Sequence, residues 1–192
     1  MLFDLDGVLV DTKEIWFRVV NAVARELQVP PLSREKFEPA WGQGIQADID
    51  TIFPGRTIPE IEAAYERHFA EHVSQVIVNP DAHPVLADLR RRGIRTAVIT
   101  NTAAPLARKV LEAALLVPEV IVGGTDVPNA KPAPDMVVRA CALLQVQPTE
   151  AIVVGDSPYD REAARAAKVR FIGYGLDGDE RIDTLADLLR TV

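Results

Sequence analysis

The residues best placed to do chemistry stand at the very start of the chain. Asp4 and Asp6 end a short apolar run two residues apart, and Gly7 follows at once. If residues 1–5 form a buried strand, both carboxylates emerge at its carboxyl end, about 7 Å apart. Buried acids are costly unless they are paired, hydrogen-bonded or bound to a metal. The alternative is a plain turn, in which Gly7 merely frees the backbone.

Three later segments repeat this pattern of an apolar strand that stops at polar residues. The polar residues are Thr100 and Asn101 after the strand at 96–99, Lys131 beyond the strand at 120–122, and Asp156, Ser157 and Asp160 after the strand at 151–154. A helical pattern follows each strand, which predicts an α/β fold with a doubly wound, Rossmann-like parallel sheet. Ligands of such sheets bind outside the carboxyl ends of the strands. The polar clusters are therefore expected to converge in one crevice.

Each cluster also has an ordinary structural interpretation. Thr100 and Asn101 could cap the helix that follows them, and Lys131 could be a surface lysine before two prolines. Ser157 followed by Pro158 is typical of an N-cap and first helical position, and we expect that role in addition to any chemistry. Taken singly, a polar strand end favours such structural roles. Their joint occurrence favours a shared site.

In these clusters the chain resembles the haloacid dehalogenase superfamily of phosphohydrolases, in its phosphoglycolate phosphatase and beta-phosphoglucomutase-like branch. Residues 4–7 match the first family motif, Thr100-Asn101 the second, Lys131-Pro132 the third and residues 155–160 the fourth. They occur in the family's order and span residues 4–160 of 192. The resemblance implies a Mg²⁺-dependent phosphatase that forms an aspartyl-phosphate.

The resemblance also implies roles for the acids. Asp4 would attack phosphorus and form a covalent intermediate, which splits one difficult step into two. Asp6 would protonate the leaving group and later take a proton from the attacking water. Mg²⁺ would be held by Asp4, Asp156 and the backbone carbonyl of Asp6, hard oxygen ligands of the kind that it prefers. Asp160 and Ser157 would not bind the ion directly but would hold the residues of that metal site in position.

Three further groups would hold the transferring phosphoryl oxygens: the Thr100 hydroxyl, the Asn101 backbone N–H and the Lys131 ammonium. Other functions on the same fold stay open. A phosphomutase needs a second group that binds phosphate. No arginine lies near residues 42–44 in the sequence, and this absence disfavours the phosphomutase function. A dehalogenase does not need Asp6 as an acid and base. A non-catalytic sensing or scaffold domain is the remote alternative, because every expected catalytic residue is present.

A mostly helical insertion is expected over residues 13–80, which leaves 1–12 and 81–192 as the α/β core. Periodicity predicts its helices over residues 15–27, 35–40, 45–52 and 59–75. The resemblance implies a cap that closes over the site and selects the substrate. From the Gly42-Gln43-Gly44 turn we predict leaving-group contacts by Gln43, Trp41 and Gln46, with a simple interhelical turn as the alternative. Trp16 is expected on the apolar face of the first cap helix.

The composition is that of a small globular enzyme. Hydrophobic residues make up 48% of the chain and charged residues 26%, both ordinary values. The net charge of −7 disfavours nucleic acid as a partner, and the single cysteine, Cys141, is expected in the core. Acids interrupt the N-terminal apolar stretch, so neither a signal peptide nor a membrane span is expected. We therefore expect a cytoplasmic monomer or homodimer that acts on a small phosphorylated metabolite.

Two positions depart from the family pattern. Only three residues precede Asp4, where relatives usually begin earlier, so the first strand is expected to be short, and whether the N-terminus is complete stays open. Lys168 stands where the family usually has glycine, and it would be strained if the preceding helix ended in a left-handed turn. The substrate stays open among phosphoglycolate, sugar phosphates, nucleoside monophosphates and pyrophosphate, because core motifs do not encode the leaving group.

Overall fold

A computed structural model describes residues 1–191 as an α/β core with a helical insertion. The strands are β1 (Leu2–Phe3), β2 (Val10–Asp11), β3 (Ile77–Val78), β4 (Ala97–Thr100), β5 (Val120–Gly123), β6 (Ile152–Gly155), β7 (Arg170–Tyr174) and β8 (Glu180–Ile182). The α-helices are α1 (Lys13–Glu26), α2 (Arg34–Ala40), α3 (Ile45–Thr51), α4 (Ile58–Ala70), α5 (Ala82–Arg91), α6 (Ala104–Ala113), α7 (Asp135–Leu144) and α8 (Pro158–Ala166). Short 3-10 turns lie at Val73–Gln75, Gly124–Asp126, Pro148–Glu150 and Leu185–Arg190.

The main sheet has six parallel strands in the order β5-β4-β1-β6-β7-β8. Leu2 and Phe3 of β1 pair with Ala97 and Val98 on one side and with β6 on the other. From β1 the chain first builds β4 and β5, and later β6 to β8 across the opposite edge. The strand order therefore reverses at β1, which is where such sheets bind ligands. The doubly wound α/β fold that the sequence predicts is confirmed.

Helices cover both faces of this sheet because successive residues of its strands point to opposite sides. Leu2 packs with α7 and α8, and Cys141 of α7 is buried there as expected. Phe3 packs on the other side with α5 and α6. With both faces covered, the central strands β1, β4 and β6 can be apolar, and polar groups follow at their carboxyl ends.

The inserted segment is helical, as expected from its periodicity. α1 and α3 both pack against α4. The Trp16 ring on α1 lies 5.2 Å, between ring centroids, from Tyr65 and also from Phe69 of α4. Strands β2 and β3 pair antiparallel where the chain leaves and re-enters the core. The division of the chain into core and insertion at residues 12/13 and 80/81 stays a prediction. The two-stranded β2–β3 sheet pairs a strand on the core side of the first boundary with one on the insertion side of the second.

Some elements differ from the sequence-based expectation. The last insertion helix, predicted over 59–75, ends at Ala70, and a separate 3-10 turn follows at Val73–Gln75. Strands β7 and β8 extend the sheet beyond the four strands that the motifs indicate. Lys168 has a φ of +59°, so the strain expected at this position is confirmed. Within residues 1–191, no helix has both the length and the apolar character needed to cross a membrane.

Candidate active site

Asp4 lies at the carboxyl end of β1, in the middle of the sheet. Its backbone N–H donates to the Val154 carbonyl at 2.9 Å, which continues the pairing with β6. The residue is only 7% exposed. Asp4 Oδ1 accepts hydrogen bonds from the Leu5 N–H at 2.8 Å and from Lys131 Nζ at 2.8 Å. The carboxylate is therefore fixed through one oxygen, and the residue still lines the cavity above the sheet.

Lys131 reaches Asp4 from the loop that follows β5. Its ammonium is buried and donates to Asp4 Oδ1, to Asp160 Oδ1 at 2.6 Å and to the Ile99 carbonyl at 3.0 Å. Burial opposes the charge, but Asp160 and Asp4 outweigh it and raise the pKa of Lys131 above its ordinary value. The surface-lysine interpretation is therefore wrong. All three ammonium hydrogens are used inside the site.

Three carboxylates cluster beside this lysine. One oxygen from each of Asp4, Asp156 and Asp160 lies within 4.8 Å of the others. Loss of hydration, followed by the nearby Asp160 charge, raises the pKa of Asp4 well above its ordinary value. The same two causes raise the pKa of Asp156 to about 7. Three acids next to one lysine leave an excess of negative charge, which a divalent cation can offset.

Asp160 is held by the start of α8. Ser157 is the N-cap residue, as the Ser-Pro pair predicts, and its backbone N–H donates to Asp160 Oδ2 at 3.2 Å. The Asp160 N–H donates back to Ser157 Oγ at 3.3 Å. Because Oδ1 of Asp160 accepts from Lys131, both oxygens of this fully buried carboxylate are occupied. Asp160 therefore positions Lys131, and of the three clustered carboxylates Asp4 and Asp156 line the cavity.

Gly7 leaves room for Asp156. Its φ is +90°, a conformation that side chains disfavour. A Cβ at this position would lie 2.1 Å from Asp156 Oδ2. The turn after the first motif therefore requires glycine for two reasons: the backbone conformation and the close approach of a carboxylate. The plain-turn interpretation explains only the first of them.

Asp6 accepts hydrogen bonds from four side chains. Oδ1 accepts from the Thr12 hydroxyl and from Trp16 Nε1 at 3.3 Å. Oδ2 accepts from Thr102 Oγ1 at 2.9 Å and from Thr100 Oγ1 at 3.4 Å. Thr12 directly precedes α1 and Trp16 lies on it, so this acid is tied both to the core and to the insertion.

Three of these donors, Thr12, Trp16 and Thr102, were not anticipated from the sequence. Trp16 does lie on the apolar face of α1, but its indole N–H also reaches the site, as amphipathic side chains commonly do. Thr102 repeats the hydroxyl of Thr100 two residues later, and that Thr-x-Thr spacing after a strand was the available signal.

The side chain of Asn101 joins three loops. Its Nδ2 donates to the Gly42 carbonyl at 2.8 Å and to the Lys131 carbonyl at 3.0 Å, and its Oδ1 accepts from the Lys131 N–H at 2.9 Å. The sequence predicts a contact through the Asn101 backbone, whereas the structure also engages its amide. Helix α6 begins with Ala103 at its N-cap and no side-chain cap bond. The capping interpretation of Thr100 and Asn101 is therefore wrong.

One cavity connects these residues with the insertion, enclosing about 960 Å³ when the solvent-filled mouth is included. Trp41 and Gln43 line it, and their predicted contacts with the leaving group stay predictions. Gln43 Nε2 donates to Asp48 Oδ1 at 2.7 Å. Gln46 is exposed, bonds Asp50 at 2.9 Å and is not among the residues that line the cavity. The predicted contact from Gln46 is corrected accordingly, because its position on α3 turns it outward.

Asp48 is an acid among the apolar residues of α3. Tyr65 OH donates to its Oδ2 at 2.8 Å. Loss of hydration raises the pKa of Asp48 to about 6, although the bonds from Gln43 and Tyr65 oppose this change. Sequence reasoning missed Asp48. The signal was its place in the helical stripe formed by Ile45, Asp48, Ile49 and Ile52, where an acid replaces an apolar residue.

Comparisons with known proteins show which family the chain resembles. The family model described as haloacid dehalogenase-like hydrolase matches residues 1–174. A protein of Caldanaerobacter subterraneus, provisionally named pyrophosphatase PpaX, is 32% identical over 90% of this chain and 79% of its own length. A phosphoglycolate phosphatase of Chromobacterium violaceum is 31% identical over 97% of this chain and 92% of its own.

A solved structure extends the similarity to three dimensions. CbbY from Rhodobacter sphaeroides, in complex with phosphate, is 26% identical with a TM-score of 0.84, covering 97% of this chain and 94% of its own. Profile, sequence relatives and fold thus agree over nearly all of the chain, and the relatives are named as phosphatases. The chain therefore belongs to the haloacid dehalogenase-like hydrolases and is a phosphatase-type enzyme of that family.

Proposed function

We propose that this enzyme is a Mg²⁺-dependent phosphatase that hydrolyses a small phosphate monoester through a phosphorylated Asp4. The observation that carries the proposal is the position of Asp4. It ends the central strand, faces the cavity and is held through one oxygen by Lys131, while Asp6 stands two residues away. A nucleophile and a proton carrier thus share one loop, as a two-step displacement requires.

The acids of the site suit a magnesium ion. Mg²⁺ would be held by Asp4, Asp156 and the backbone carbonyl of Asp6, since both oxygens of Asp160 are already occupied. Loss of hydration and the nearby Asp160 charge raise the pKa of both Asp4 and Asp156, and a bound cation would favour the ionised form of each carboxyl. When bound, the ion would supply charge neutralisation for the phosphoryl oxygens.

The chain's own residues account for the chemical steps. A carboxylate oxygen of Asp4 attacks phosphorus, and the ester P–O bond breaks. Lys131 lies against Asp4 and offsets charge there. Asp6 gives a proton to the leaving oxygen, then takes one from the water that hydrolyses the acyl phosphate and releases inorganic phosphate. Asp6 accepts from four donors here, so it must exchange one of them for the substrate oxygen.

The groups around Asp6 fit such an exchange. Thr12, Thr100 and Thr102 approach from the core, whereas Trp16 approaches from helix α1 of the insertion. A movement of the insertion would change the contact from Trp16 and leave those from Thr100 and Thr102 in place. Phosphoglycolate and pyrophosphate, which the relatives' names give, are candidate substrates, and so are esters of uncharged alcohols. The contacts above Asp6 must decide among them.

The proposal is tested with purified protein and para-nitrophenyl phosphate, with Mg²⁺ and with a chelator in its place. We expect turnover only with Mg²⁺, and a loss of at least about a thousandfold in Asp4→Asn, because an amide is a poor nucleophile. Asp183→Asn removes an exposed acid and serves as the matched control. Rapid quenching and peptide mass spectrometry should find phosphate on Asp4. Asp4→Asn activity above a tenth of the control, or activity unaffected by chelation, would refute the proposal.

A further inference from the structure

The part of the cavity above Asp6, called here the cap chamber, is mainly apolar. Its walls include Val20, Leu32, Phe37, Trp41, Ile45 and Ile52. These side chains come from α1, α2, α3 and the loops between them. Because the phosphoryl group must lie at Asp4, the chamber is the space left for the rest of the substrate. A leaving group bound there would bury apolar surface.

The ionisable groups of the cap chamber are acids. Asp48, Glu62 and Glu66 line it. Glu66 pairs with Lys109 at 2.7 Å, so its charge is offset. Glu62 accepts from the Thr125 hydroxyl at 3.4 Å, and Asp48 accepts from Gln43 and Tyr65. Hydroxyl and amide donors satisfy these oxygens without supplying positive charge.

Among the residues that line the cavity, the basic side chain lies at its floor. Among the described residues that line it, Lys131 is the only basic side chain. Its ammonium is committed to Asp4, Asp160 and the Ile99 carbonyl. A carboxylate or a second phosphate in the chamber would therefore lie near Asp48 and Glu62 without a cation. Burying an unpaired anion beside acids is strongly unfavourable.

From this arrangement we infer that the substrate's leaving group carries no negative charge, and that it presents apolar surface to the cap chamber and a hydroxyl or ammonium donor to its acids. The inference rests on the phosphatase function proposed above and narrows its substrate class. It excludes the substrates in the relatives' names as preferred substrates of this enzyme, since phosphoglycolate and pyrophosphate both carry a second negatively charged group beyond the reacting phosphate. Specificity here comes from repulsion as well as from fit.

The test compares kcat/KM for esters that differ only at the far end. Phosphoglycolate carries a carboxylate, 2-hydroxyethyl phosphate a hydroxyl and phosphoethanolamine an ammonium. We expect kcat/KM for each of the last two esters to exceed that for phosphoglycolate by at least about tenfold. The reason is that burial of an unpaired charge weakens binding by about this factor or more. Butyl phosphate should exceed ethyl phosphate by about tenfold, since two more methylenes are buried.

A charge reversal within the chamber gives an independent measurement. Glu62→Arg places a cation on the chamber side of α4, whereas Glu71→Arg makes the same change at the exposed end of that helix. We expect Glu62→Arg to raise the ratio of kcat/KM for phosphoglycolate to that for 2-hydroxyethyl phosphate by about tenfold. Glu71→Arg should leave the ratio unchanged. Thermal melting of both variants identifies any general loss of structure.

The outcomes are distinguishable. If the wild-type enzyme hydrolyses phosphoglycolate as well as the hydroxyl ester, or better, the inference is wrong while the phosphatase function stands. If Glu62→Arg is folded and the ratio does not change, the chamber does not exclude anions through Glu62, and the inference is likewise overturned. If no ester in the panel is hydrolysed with Mg²⁺, although the protein is folded, the proposed function itself fails.

Discussion

The side-chain amide of Asn101 donates a hydrogen bond to the backbone carbonyl of Gly42 across 2.8 Å, and so joins the core to the insertion. The same amide makes two hydrogen bonds with the backbone of Lys131. One planar group therefore sets the distance between the loop that carries the buried lysine and the turn above the cavity. Loss of this amide should disturb both loops together.

We predict that Asn101→Ala lowers kcat/KM by about 10- to 100-fold, since three hydrogen bonds that position Lys131 and Gly42 are lost. Steady-state kinetics with para-nitrophenyl phosphate is the measurement. Asn129→Ala, which removes an exposed amide bonded to Asp135, is the control. Equal activities of the two variants would show that the Asn101 amide does not position the site.

Gly7 offers a test of the metal site. Gly7→Ala would place a methyl group 2.1 Å from the present position of Asp156 Oδ2, so we expect Mg²⁺ affinity to fall at least about tenfold. Gly55→Ala is matched in backbone strain, with φ of +83° against +90°, but a Cβ there meets nothing within 4 Å. Calorimetric titration with Mg²⁺ should separate the two variants. If the two variants bind Mg²⁺ with similar affinity, Asp156 is not a ligand of the ion.

The left-handed conformation of Lys168 gives a prediction about stability. Lys168→Gly should raise the free energy of unfolding by about 0.5–1 kcal/mol, because glycine adopts a φ of +59° without a Cβ clash. The neighbouring Ala167→Gly, at a φ of −80°, should lower it by a similar amount. Urea denaturation measures both changes. A Lys168→Gly variant less stable than the parent would mean that the lysine makes compensating contacts.

Asp48 predicts a specific dependence of stability on pH. Its pKa is about 6 in the folded enzyme and about 3.9 in an unfolded chain. Between these values the folded state binds more protons, so this group's contribution to stability is present below pH ~4 and lost as pH rises through 6. Asp48→Asn should therefore match the parent near pH 4 and exceed it near pH 7 by on the order of 2 kcal/mol.

Asp50→Asn, which removes an exposed acid from the same helix, is the control for this pH series. Urea unfolding at several values between pH 4 and pH 7 gives the comparison. A constant difference between Asp48→Asn and the parent over that range would contradict the raised pKa of Asp48.

The location of the site could be predicted from sequence because it depends on chain direction alone. Apolar runs that stop at Asp4, Thr100 and Asp156 define strands, and parallel strands bring their carboxyl ends to one edge. The capping role of Ser157 was equally accessible, since Ser-Pro before a helix is a local signal. No knowledge of side-chain packing is needed for these inferences. The burial of Lys131 is different, because a single lysine in a loop says nothing about depth.

The contacts that depend on packing between distant segments could not be predicted. Gln43 lines the cavity, and its predicted contact with the leaving group stays a prediction; its partner Asp48 is determined by how α3 rotates against α4. Trp16 meets Asp6 only because α1 rises directly from the first loop. Strands β7 and β8 carry no motif residue, so the motifs do not predict them.

The antiparallel pairing of Val10 with Val78 and of Asp11 with Ile77 places the outgoing and returning chain side by side. Paired strand backbones lie about 5 Å apart. The segment between the two strands, roughly residues 12 to 76, is therefore connected to the core at two points that lie next to each other. A graft across these junctions would carry a relative's leaving-group preference onto this chain's phosphoryl chemistry. The substrate preference of the enzyme can therefore change through exchange of one continuous segment of the chain, while the catalytic acids stay the same.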